Sequence, residues 1–164
     1  MKTEEVIALD PGERTGYATA GMSRDLLVFR DYGTMQRREM ALNLYNWQVR
    51  PPGRRFDVIA WEAWVPRRNE AGEMDWIEGD KLLSPRHVGH FELIAWLSGA
   101  RTKEYGAEKK KHFQKSMAPQ LVLLQRGASE QHPKDALMHL WGYFFENWFT
   151  ANKAPEDCVV LEVR

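Results

Sequence analysis

The 164-residue sequence predicts an α/β fold: a mixed five-stranded sheet, three strands in an antiparallel meander plus two parallel strands, flanked by helices. Three observations carry this. Three β-type runs follow one another at turn-length gaps, later β runs alternate with helix-period segments, and the C-terminal element is strongly amphipathic. The length suits one domain with a sizeable core, spanning residues 1–164.

The first strand is the apolar run Val6-Ile7-Ala8-Leu9-Asp10, which reads as central and buried on both faces. Pro11 keeps Asp10 extended, and Gly12 and Gly16 allow a tight return and close approach by a ligand. The second strand is Thr15 to Ala20, ended by Gly21, and the third is Leu26 to Tyr32, stopped by Gly33. Met35 to Val49 places Met40, Leu44 and Trp47 at helical spacing, and Pro51-Pro52-Gly53 terminates it. Phe56 to Ala63 is the fourth strand, with Phe56, Val58, Ala60 and Glu62 on one face. A long polar loop, Trp64 to Gly79, precedes a helix from Lys81 to Ser98 with a break expected near Pro85. Arg101 to Ala107 is a weak fifth strand, followed by the basic cluster Lys109, Lys110, Lys111 and Lys115. The last helix opens near His132-Pro133-Lys134-Asp135 and carries Leu137, Leu140, Trp141, Phe144, Phe145 and Trp148 as an apolar stripe.

Composition narrows the function. Lys+Arg and Asp+Glu both total 23, so no global charge steers the chain to nucleic acid or membrane, and only local patches act. The single Cys158 excludes an internal disulfide and fits a reducing cytoplasm. The N-terminus runs straight into a strand rather than a signal peptide, and no apolar run approaches membrane-spanning length.

Three carboxylates fall at element ends: Asp10 ending the first strand, Glu62 in the fourth, and Asp135 opening the last helix. If the first and fourth strands are neighbours, Asp10 and Glu62 face each other and Asp135 reaches over them. Three acids buried together require neutralising cations, and oxygen donors without cysteine favour Mg²⁺ or Mn²⁺. Two such ions a few Å apart clamp the attacking and leaving oxygens of a phosphodiester. Taken singly, Glu62 also reads as a strand glutamate paired with an arginine, and Asp135 as an acid meeting a helix dipole.

Residues 7–18, Ile-Ala-Leu-Asp-Pro-Gly-Glu-Arg-Thr-Gly-Tyr-Ala, resemble the first motif of RuvC-like Holliday junction resolvases of the RNase H-like superfamily, and the chain looks like a phage-type member. Val58 to Glu62 resembles the family's fourth strand with its catalytic Glu, residues 88–92 its glycine-containing helix, and residues 132–137 its last helix. The resemblance implies an RNase H-like sheet, a homodimer, and Asp10, Glu62 and Asp135 as ligands of two metal ions, Asp10 bridging both. His132 stands where many members have an acid and some a histidine, which implies a catalytic or metal-binding role. A lysine after the fifth strand supports the family's active site, and Lys109, Lys110, Lys111 and Lys115 compete for that place.

Trp64, Arg67, Arg68 and Trp76, in the loop past Glu62, are candidate DNA contacts, with guanidiniums on phosphates and indoles on unpaired bases. The lysine cluster 109–115 is a second candidate phosphate surface. His87 and His90 suggest a structural or surface role more than a metal pair, and His139 shares the helix face of Asp135. The expected activity is metal-dependent cleavage of four-way junctions, forks or flaps in the cytoplasm of a bacterial or phage-infected cell. A ribonuclease H, or a non-catalytic nucleic-acid module, is the alternative. The helix from Lys81 to Ser98 is apolar nearly all round towards its end, which predicts a homodimer built on it.

Overall fold

The structure, a computed structural model, describes residues 3–23, 26–50, 56–63, 83–148 and 158–161. The elements run β1 (Glu4–Asp10), β2 (Arg14–Ser23), β3 (Leu26–Gln36), α1 (Arg37–Val49), β4 (Val58–Glu62), α2 (Leu83–Ser98) and β5 (Arg101–Tyr105). A 3-10 turn (Ala107–Lys109) then leads into α3 (Lys110–Ser116), α4 (Pro119–Gly127), α5 (Gln131–Trp148) and β6 (Val159–Leu161). The sheet is mixed, with strand order β5-β4-β1-β2-β3-β6. β1, β2 and β3 form the antiparallel meander, and β4 and β5 extend it in parallel beyond β1.

The expected architecture is present, with one strand more. β6 pairs in parallel with β3 through Leu27, Val28 and Phe29, giving six strands where five were expected. Gly21 and Gly33 do not stop their strands, because both are paired across the β2–β3 ladder. A Cβ at Gly33 would stand 3.1 Å from the Tyr17 hydroxyl and 3.2 Å from its ring, so this glycine gives its cross-strand neighbour room. Pro85 does not interrupt α2. It lies in the first turn, where a missing N–H costs no intrahelical bond.

Strand alternation sorts the core into two layers. Val6, Ala8, Ala18, Ala20, Val58 and Ala60 face α5, which meets these mostly small residues with Leu137, Leu140, Trp141 and Phe144. Those four helix residues are fully buried, each contributing roughly 1.5–3 kcal/mol of transfer free energy. Small side chains on the sheet and large ones on the helix bring α5 down onto β1 and β4. The opposite face carries Ile7, Leu9, Ile59 and Trp61 under Met40 and Leu44 of α1 and Phe91, Ile94 and Ala95 of α2. Phe56 belongs to this second layer and not to the face of Val58, because it precedes β4 and the alternation begins only at Val58.

Candidate active site

β1 and β4 run parallel in the register Val6↔Val58 to Leu9↔Trp61, so Asp10 and Glu62 follow as the next residues of adjacent strands. By alternation both lie on the α5 side with Ala8 and Ala60. The first turn of α5 then brings His132 and Asp135 to the same end of the sheet. Its approach depends on Gly16: a Cβ there would stand 2.1 Å from the backbone oxygen of His132. The close approach that this glycine permits is therefore by the helix backbone, where the sequence suggested a ligand. Behind the turn, buried Thr15 pairs through Oγ1 with Nδ1 of fully buried His87 at 3.1 Å, bracing the Asp10 loop from α2. His87 is thus structural, and His90 is exposed.

Each acid has a basic partner. His132 Nδ1 lies 2.5 Å from Asp10 Oδ2. Hydrogen bonding to Asp10, opposed by burial, raises the His132 imidazole above its ordinary value. Lys110 Nζ bridges Glu62 Oε2 at 2.6 Å and Asp135 Oδ2 at 2.9 Å. Burial pushes the Glu62 carboxyl up, but contacts from His139 and Lys110 and the ammonium charge outweigh it and hold the group at about 2. Asp135 also accepts a hydrogen bond from Gln131 Nε2 at 2.7 Å.

Of the four competing lysines, only Lys110 enters the centre. Phe113 of α3 packs where Gly142 leaves space on α5, with a Cβ there only 2.4 Å from the ring, and Tyr105 meets Phe113 edge-on at 5.3 Å. That packing sets the first residue of α3 over the acids. Lys109 instead pairs with Glu146 at 2.6 Å, while Lys111 and Lys115 are exposed. Trp64, Arg67, Arg68 and Trp76 lie outside the described residues.

The sequence reading gave His139 too little weight. Its side chain is fully buried, and one ring nitrogen lies with oxygens of Asp10 and Glu62 in a group spanning no more than 4.8 Å. The signal was present as a polar residue four positions after Asp135 within an otherwise apolar stripe.

No protein-family model matches the sequence, and no curated protein matches it. The fold does find matches. Thermus thermophilus RuvC in complex with a Holliday junction substrate aligns with a TM-score of 0.59 at 15% identity, covering 87% of this chain and 94% of that one. The chain has the RuvC fold. A second Thermus thermophilus RuvC structure gives a TM-score of 0.55 at 17% identity, covering 87% of this chain and 95% of that one. The fowlpox virus Holliday junction resolvase gives 0.51 at 8% identity, covering 85% and 96%. At these identities the RuvC likeness speaks for the fold, and the chemistry rests on the side chains. No helix among the described residues is long and apolar enough to cross a membrane.

Proposed function

We propose that the chain is a divalent-metal-dependent endonuclease that resolves Holliday junctions and related branched DNA by phosphodiester hydrolysis. The observation that supports this most is the convergence of Asp10, Glu62 and Asp135, from three separate elements, at one end of a RuvC-type sheet. The residues fit cations. Asp10 and Asp135 are buried, Glu62 is half-buried, and the Lys110 ammonium already stands between Glu62 and Asp135 as a positive charge would. Asp10, Glu62 and Asp135 would hold two ions, Mg²⁺ or Mn²⁺, with Asp10 shared and His132 beside it. Such a pair, when bound, stabilises the attacking and leaving oxygens of an in-line displacement.

The chain's own groups prepare the centre. Lys110 offsets the repulsion between two carboxylates and supplies a donor for the negative charge that develops on a scissile phosphate. His132 Nδ1 pairs with Asp10 Oδ2 at 2.5 Å and fixes the position of that carboxylate. Lys111 and Lys115, exposed on α3 beside Lys110, are candidate phosphate contacts, joined by Trp64, Arg67, Arg68 and Trp76 past Glu62 and by Lys109 beyond its pairing with Glu146. A homodimer through α2 is part of the proposal. Leu93, Trp96 and Leu97 are 52%, 78% and 50% exposed on the face opposite its core contacts, and two-fold symmetry would supply two centres for paired nicks. The 164 residues then act as one nuclease domain in the cytoplasm of a bacterial or phage-infected cell.

The test compares cleavage of a four-way junction, a fork, a flap, linear duplex DNA and an RNA–DNA hybrid, each with Mg²⁺ or Mn²⁺. Symmetric paired nicks in the four-way junction are expected. Preferential cutting of forks or flaps moves the substrate to replication intermediates, and preference for the hybrid makes the enzyme a ribonuclease H. Absence of cleavage on every branched substrate contradicts the proposal.

A further inference from the structure

The sequence offers His132 as the one nitrogen beside the three acids, and His139 on the same helix adds a second candidate donor. It is fully buried on α5, and among the described residues neither ring nitrogen has a hydrogen-bond partner. Leaving a buried polar atom unpaired costs on the order of 1–3 kcal/mol, so this arrangement calls for a partner that completes it. Nε2 points at the acids rather than at solvent: it lies 3.5 Å from Glu62 Oε2, beyond good hydrogen-bonding contact. Tyr105 at the end of β5 stacks on the imidazole with centroids 5.9 Å apart and 3° between planes. Packing, rather than a hydrogen bond, therefore holds the ring. His132 differs on each count, being 40% exposed at the side chain and already paired with Asp10.

An imidazole nitrogen and two carboxylates converging on one point form a mixed donor set of the kind that a divalent cation holds together. One atom each from Asp10, Glu62 and His139 falls within 4.8 Å of the others, and ligands about 2.1 Å from an octahedral ion stand roughly 3 to 4 Å apart. We propose that Asp10, Glu62 and His139 ligate one divalent cation through two carboxylate oxygens and one imidazole nitrogen, and that this nitrogen makes the site prefer Mn²⁺ to Mg²⁺. The proposal rests on the metal-nuclease reading above and specifies one site of it. Mg²⁺ favours oxygen donors and sheds water reluctantly, whereas imidazole suits first-row transition ions. Mn²⁺ accepts carboxylates as Mg²⁺ does and gains from the imidazole. Lys110 holds the same Glu62 oxygen at 2.6 Å, so its ammonium is the rival of the cation in the metal-free protein.

The experiment uses the full chain without DNA. Calorimetric titration with Mn²⁺ and with Mg²⁺ is paired with pulsed EPR of the Mn²⁺-loaded protein, which detects ¹⁴N coupling from a coordinated imidazole. Wild type should bind Mn²⁺ at least about tenfold more tightly than Mg²⁺ and show the coupling. The coupling should survive His132→Ala and vanish in His139→Gln, which should also bring the two affinities within about threefold of each other. If His139→Gln fails to fold, the wild-type and His132→Ala spectra decide. Absence of ¹⁴N coupling in wild type, or its loss in His132→Ala, overturns the His139 ligand. If Asp10→Asn still abolishes binding in that case, the acidic centre stands without the nitrogen. If Asp10→Asn binds both ions as wild type does, the metal-nuclease reading fails together with this one.

Discussion

Gly16→Ala isolates the contact on which the geometry of the centre depends. The added Cβ would stand 2.1 Å from the His132 backbone oxygen, 2.2 Å from its carbonyl carbon and 2.7 Å from Pro133 N. None of these is the end of a flexible side chain. Gly16 lies inside β2, opposite Asp10 in the ladder, so the strand cannot retreat without breaking pairing to β1 or β3. The first turn of α5 must move instead, by at least about 1 Å to restore ordinary van der Waals distances. Overpacking of this kind costs roughly 1–3 kcal/mol, and each kcal/mol lowers Tm by about 2–4 °C at this size. The same movement draws His132 and Asp135 away from Asp10 and Glu62. A misplacement of about 1 Å in a catalytic constellation can cost roughly 10²-fold in rate. Thermal unfolding and single-turnover cleavage of a four-way junction measure the two effects. Gly12→Ala meets the Arg14 backbone oxygen at 3.0 Å and the His132 ring at 3.1 Å, milder contacts that should cost less, while Gly127→Ala meets nothing within 4 Å and serves as the neutral control. Wild-type Tm and cleavage in Gly16→Ala would refute the idea that helix docking at this glycine assembles the centre.

Burial, then the charges of His90 and Arg37, push His87 down to about 4, against the raising influence of backbone groups at Arg37 and Gly12. Because the folded value lies below the unfolded one, the unfolded chain binds the proton more readily. The stability due to neutral His87 is therefore full above about pH 6.5 and is lost as pH falls towards 4, at up to about 1.4 kcal/mol per pH unit. Thermal melts at about pH 7 and 5 should show a larger drop for wild type than for His87→Gln, and equal drops would contradict this. Lys110→Met should keep the fold and lose cleavage by about 10²-fold or more, since the charge developing on the scissile phosphate then loses its ammonium donor; undiminished turnover would return Lys110 to a structural role. Leu93→Glu with Trp96→Glu should give a monomer by light scattering and uncouple the paired nicks, and an unchanged dimer would move the interface off α2.

The parts of the fold set by periodicity were legible in the sequence. Alternation in β1 and β4 placed Asp10 and Glu62 on a common face, and the stripe of α5 placed Asp135 above them. What escaped the sequence depended on partners distant along the chain. β6 has only three residues and exists through pairing with β3, so it carries no pattern of its own. α3 covers the stretch read as a lysine cluster, and α4 lies between that cluster and the last helix, where Pro119 at its start and buried Leu121 mark a short helix. The sequence could not choose among the lysines because the choice is made by Phe113 seating against Gly142. Gly16 and His139 were visible as residue types, but their roles come from a helix crossing a strand more than a hundred residues away in sequence.

The account stands or falls on whether the three convergent acids perform the cut. Single-turnover cleavage of a four-way junction in Mg²⁺ or Mn²⁺ should be compared for wild type, Asp10→Asn, Glu62→Gln and Asp135→Asn, with junction binding measured in Ca²⁺. Each substitution removes an oxygen that would hold a cation against the developing charge, so rates should fall by at least about 10²–10³-fold while binding and thermal stability persist. Cleavage at the wild-type rate by Asp10→Asn, or by wild type in excess chelator, would contradict the mechanism.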